Sequence, residues 1–124
     1  VITMDEWHDY QSWRSRLLTP ADERFYPAGW LDSEIWTGRA RFWCTEAAAI
    51  VATFTAYPSG ALAVHGLVAA GDAAEVRKLI PYAEQWGREI GAVVSEIDSR
   101  QGWARVLADD GYAVHQVRLR KEMV

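Results

Sequence analysis

Residues 61–112 hold the pattern that most constrains this chain. An apolar stretch, Leu62-Ala63-Val64-His65-Gly66-Leu67-Val68, runs into Gly71-Asp72 and then a long amphipathic segment. Val76, Leu79, Ile80, Ala83, Trp86 and Ile90 fall on one face at helical spacing. Asp72 suits the N-cap of that helix and Gly91 its stop. Residues 92–97 then form a second apolar stretch. Strand, helix and strand joined this tightly make a right-handed crossover, and its two strands run parallel in one sheet. Pro81 sits inside the helix, removes the bond to the Arg77 carbonyl and predicts a kink.

The rest of the chain is read around that unit. Trp7, Tyr10, Trp13 and Leu17 mark a helix over residues 5–18, with Asp5 and Glu6 in its first turn. Thr19-Pro20 is expected to end it. Residues 21–29 read as a loop and 31–37 as a short helix stopped by Gly38. Residues 40–45 and 47–57 read as strands, and the Pro58-Ser59-Gly60 turn leads into the strand at 61–68. Residues 101–109 form a helix closed by Gly111. In residues 112–121, Val117 and Leu119 alternate with Gln116, Arg118 and Arg120, which predicts a last strand with one wet face. The expected fold class is α/β, or α+β, on a mixed sheet. An antiparallel meander precedes the β-α-β crossover, a helix and the final strand, with helices on both faces and one domain over residues 1–124.

Composition limits the function classes. Half of the 124 residues are hydrophobic and 24% charged, as in a globular protein with a real core. No apolar run is long enough to span a membrane, and residues 1–7 carry no secretory signal pattern. The net charge of −4 speaks against nucleic acid as a partner. The single Cys44 cannot form an internal disulfide, so a cytoplasmic location is expected and Cys44 reads as a small core residue. Of the 7 tryptophans, packing explains several; Trp7, Trp30 or Trp36 lining a cleft or an interface is the alternative. The histidines and Cys44 lack metal-site spacing, and no phosphate-binding Walker loop or nucleophile elbow is present.

Over residues 40–124 the chain resembles the GNAT N-acetyltransferase superfamily. The resemblance rests on the strand Leu62-Ala63-Val64-His65-Gly66-Leu67-Val68 and the helix end Ala83-Glu84-Gln85-Trp86-Gly87-Arg88-Glu89-Ile90-Gly91. Val94-Ser95-Glu96-Ile97 follows, and Gly102-Trp103-Ala104-Arg105 leads to Gly111-Tyr112, where the family usually has Gly before an aromatic. The chain is also similar to small divergent members from bacteriophage and prophage genomes. The resemblance implies transfer of an acyl group from acetyl-CoA to an amine. The pantetheine arm would lie where the strand splays from its parallel neighbour, and the pyrophosphate on amides at the start of the next helix. The implied cofactor-binding residues are Leu67, Val68, Ala69, Gly71, Asp72, Ala73 and Ala74. His65 and Glu96 are the candidate bases: imidazole ordinarily titrates near neutral pH, and Glu96 is a carboxylate within an apolar strand. A structural histidine and a paired structural acid are the alternatives.

Three positions depart from the family pattern. The phosphate turn reads Gly71-Asp72-Ala73-Ala74-Glu75-Val76, with two carboxylates and no cation. Leu107 stands where a thiolate-protonating tyrosine is usual, and Tyr112 reads as a packing aromatic. Only one strand follows the last helix where two are usual, so a homodimer or another protein partner is expected to complete the sheet. The amine acceptor is not named by the sequence. A non-catalytic GNAT-fold binding or structural protein with a degenerate CoA site, virion-associated if phage-encoded, is the alternative function.

Overall fold

A computed structural model describes all 124 residues. Two helices come first, α1 (Met4–Ala21) and α2 (Ala28–Thr37), followed by strands β1 (Arg41–Cys44), β2 (Ala48–Ala56) and β3 (Leu62–Gly71). Helix α3 (Ala73–Glu89) crosses to β4 (Ala92–Ile97), and α4 (Gly102–Val106) leads into a 3-10 turn at Ala108–Asp110. The strands lie in the order β1-β2-β3-β4. β1, β2 and β3 pair antiparallel, and β3 pairs parallel with β4, as the crossover requires.

Alternation along β2 divides the core between the two faces of the sheet. Ala49 and Val51 pack with Tyr10, Trp13, Leu17, Leu31 and Ile35 beneath α1 and α2. Ala48, Ile50 and Ala52 pack with Val64 and with Val76, Leu79, Ala83 and Trp86 of α3. Helix α3 lies close to the sheet because Gly87 has no side chain. A Cβ there would stand 2.8 Å from Val64 Cγ1. Across the other face, Tyr10 donates to Asp32 Oδ1 at 2.6 Å and Arg14 grips both oxygens of Asp32 at 2.8 and 2.9 Å, joining α1 to α2.

Two sequence expectations are corrected. Helix α1 continues through Pro20 to Ala21. Pro20 falls in the last turn, where its missing N–H removes one terminal bond, and Ala21 is held in the core. Helix α3 runs from Ala73 to Glu89 with Pro81 inside it, on the exposed face. Residues 112–124 form no strand. They cross the surface, tied by Arg24 to Glu122 at 2.9 and 3.0 Å and by Arg120 over the Phe25 ring at 4.6 Å. Alternation fixes which side chains share a face, but a strand also needs a neighbouring backbone, and this tail has none.

Candidate functional site

The site begins where β3 and β4 part. Their register runs from Leu62 opposite Ala92 to Gly66 opposite Ile97, and beyond Gly66 strand β3 continues to Gly71 without β4 beside it. On its other edge, Val51 opposes Val68 while Ala52 opposes Gly66. Leu67 is therefore an extra residue, a bulge that bends the strand away. The sequence places this parting correctly because a parallel pair ends where the shorter strand runs out.

A cleft of about 660 Å³ fills the opening on the α3 side. Its walls are Val64, Leu67, Val68, Ala69 and Gly71 of β3, Val76, Ile80 and Ala83 of α3, Ser95 and Ile97 of β4, and Trp103, Leu107 and Tyr112 beyond. A narrower concavity of about 250 Å³ lies on the α2 side, lined by Tyr26, Trp30, Glu34, Arg39, Thr53, Phe54, His65 and Leu67. Leu67 lines both, so the two spaces approach one another at the bulge.

His65 stands on the second concavity, with Nε2 at 3.1 Å from Asp98 Oδ2. The pairing of His65 with Glu96 puts both on one face, and strand alternation brings Asp98 to that same face. Sequence reasoning missed Asp98, although this register would have found it. Glu96 lines neither space and instead accepts a 2.5 Å bond from the Tyr57 hydroxyl. That bond is the main reason the Tyr57 phenol is held above its ordinary pKa.

On the α3 side, Tyr112 donates to Glu84 Oε2 at 2.7 Å and shares a 2.6 Å bond with Ser95 Oγ. Burial first, and then the Glu84 carboxylate, push the Tyr112 phenol up to about 12, against the opposing pull of the Ser95 bond. The phenol is thus a neutral donor at physiological pH. Leu107 lines the cleft as a buried aliphatic, so Tyr112 and Ser95 are the hydroxyls nearest to its role in the sequence pattern. Of the suspected tryptophans, Trp30 faces the second concavity beside Tyr26, with ring centroids 5.5 Å apart. Trp7 and Trp36 pack on each other at 5.2 Å. Cys44 packs against the α1–α2 core, and burial raises its thiol pKa.

Neither a protein-family model nor a curated protein matches the sequence. Solved structures do match the architecture. Glucosamine-6-phosphate N-acetyltransferase of Arabidopsis thaliana superposes with a TM-score of 0.67 at 13% identity, over 96% of this chain and 95% of that one. A transcriptional regulator of Bacillus halodurans gives 0.66 at 14% identity, over 98% and 96%. An acetyltransferase of Trypanosoma brucei gives 0.58 at 15%, over 89% and 94%. The chain has the fold of the GNAT acetyltransferases.

The GNAT fold brings a test of the cofactor it implies. The splayed strands and the apolar cleft suit a pantetheine arm, and Leu67, Val68, Ala69 and Gly71 line that cleft. Asp72, Ala73 and Ala74 do not line it. The turn itself is already engaged. Asp72 Oδ1 accepts from Ala74 N–H at 2.8 Å and from Glu75 N–H at 3.3 Å, while Asp72 N–H donates to the Ala47 carbonyl at 3.0 Å. Gly71 adopts φ +100°, and a Cβ there would meet the Ala47 carbonyl oxygen at 2.2 Å. Its glycine serves the approach of β2, leaving no open cradle above it. The cleft fits the arm, but the turn does not fit a pyrophosphate.

Proposed function

We propose that this chain transfers an acyl group from an acyl thioester of the acetyl-CoA type to an amine. One observation carries the reading: a donor-sized cleft and an acceptor-sized concavity share Leu67 across parted parallel strands, with His65 on the acceptor side bonded to Asp98, which lines the donor cleft. The bound thioester supplies an activated carbonyl. With Nε2–H donated to Asp98, His65 keeps Nδ1 as the basic nitrogen that takes a proton from the attacking amine. The Tyr112–Ser95 pair holds hydroxyl protons on the opposite, α3 side, where the leaving sulfur needs one. Tyr26, Trp30 and Phe54 make the acceptor side aromatic.

Thiol release from acetyl-CoA with a panel of primary amines tests the reading. His65→Gln is expected to lower kcat by about a hundredfold while donor KM holds. An unchanged kcat would remove His65 from the mechanism, and no release with any amine would count against transfer altogether. A binding protein of the same fold is the second reading, supported by the carboxylate-capped start of α3. Donor binding without thiol release would select it.

The remaining partner reading belongs to this proposal. The outer edge of β4 carries no strand, and the tail of residues 112–124 forms none. Arg118 already lies 3.7 Å from Asp98 within the chain, so it is the bare edge of β4 that supports a second copy completing the sheet. A single, partly buried thiol at Cys44 supports a reducing compartment such as the cytoplasm.

A further inference from the structure

We infer that this cleft reads its donor by the pantetheine arm and gains nothing from the phosphorylated nucleotide of coenzyme A, with Asp72 as the residue that sets this preference. The inference rests on the donor reading above and names what that donor must present: an uncharged acyl-pantetheine end. At the start of α3, the amides of Asp72, Ala74, Glu75 and Val76 have partners within the protein, which leaves Ala73 N–H as the one amide of that turn without one. A helix start attracts anions through such free N–H groups and the positive end of its dipole. Here a carboxylate of the chain already occupies that position.

Charge points the same way. Asp109 and Asp110 act on Arg77 at the first turns of α3, and Asp72 and Glu75 act on Lys78. Both cations are spent: Arg77 binds Asp110 at 2.6 and 3.0 Å, and Lys78 binds Glu75 at 2.7 Å. An incoming pyrophosphate would meet a local excess of carboxylates and would have to displace Asp72 from two amides. Arg100, on the far wall, is the one cation lining the cleft. The remaining walls beside α3 are small and apolar, which suits the amide-and-methylene chain of pantetheine.

Calorimetry with three probes tests this. Acetyl-CoA and S-acetylpantetheine are expected to bind with dissociation constants within about threefold of each other, and adenosine 3′,5′-bisphosphate is expected not to bind at millimolar concentration. Asp72→Asn keeps the helix cap but removes the charge. It is expected to tighten acetyl-CoA at least about threefold and to leave S-acetylpantetheine unchanged. Arg100→Gln is expected to leave the ratio of the two thioesters as it was. If acetyl-CoA binds more than about tenfold tighter than S-acetylpantetheine, or if Arg100→Gln erases such a gap, the inference is wrong while the donor reading stands. If neither thioester binds, the donor reading itself fails.

Discussion

Asp32 shows how much one side chain can hold together at the residue scale. Its oxygens take three hydrogen bonds, from Tyr10 and from Arg14, and Tyr10 is fully buried. Burial alone would raise the Asp32 pKa, but the Arg14 and Tyr10 bonds outweigh it and hold the carboxyl below its ordinary 3.8. Arg14 is 39% exposed and shares its charge with water, so the buried phenol left without a partner is the larger loss. Asp32→Ala is expected to cost about 2 kcal/mol in urea unfolding at pH 7. A depressed pKa gives stability that is complete above the ordinary value and lost as pH falls through the folded one. The gap between wild type and variant should therefore narrow below pH 3.8. A gap that stays constant into acid would remove the ion pair from the account. His65 and Asp98 show the limit of reading residues singly. They lie 33 positions apart, and no local pattern joins them.

At the scale of elements, the sequence was most legible where one period governs a whole segment. Helix α3 and strands β2 and β3 follow from the pattern of their apolar residues, because each buries a continuous face. Proline misled at Pro20, since a single missing N–H is tolerated near a helix end. The join between β3 and α3 depends on Gly71. Its positive φ and the 2.2 Å approach to the Ala47 oxygen leave no room for a side chain. Gly71→Ala is expected to destabilise the fold by about 3 kcal/mol and to lower the thermal midpoint accordingly. An unchanged midpoint would mean the turn can shift, and with it the argument that no phosphate cradle exists there.

At the scale of the whole molecule, the tail is the open question that the fold poses. Its intramolecular ties are exposed: Arg24 with Glu122, Arg120 over Phe25, and Arg118 at 3.7 Å from Asp98. Such solvent-screened contacts hold the tail only weakly. Light scattering is expected to show a dimer for the full chain and a monomer after removal of residues 116–124. A full chain that stays monomeric at high micromolar concentration would sink the sheet-completing partner. The sequence by itself determined the element types up to β4, the parallel β3–β4 pair and the carboxylates at the start of α3, because periodicity and crossover geometry act locally along the chain. Tertiary structure alone decided that Asp72 fills its own helix start, that His65 meets Asp98, that Tyr112 reaches Ser95 and Glu84, and that the tail stays unpaired. Each of these depends on register between distant segments, which spacing along one strand or helix does not encode.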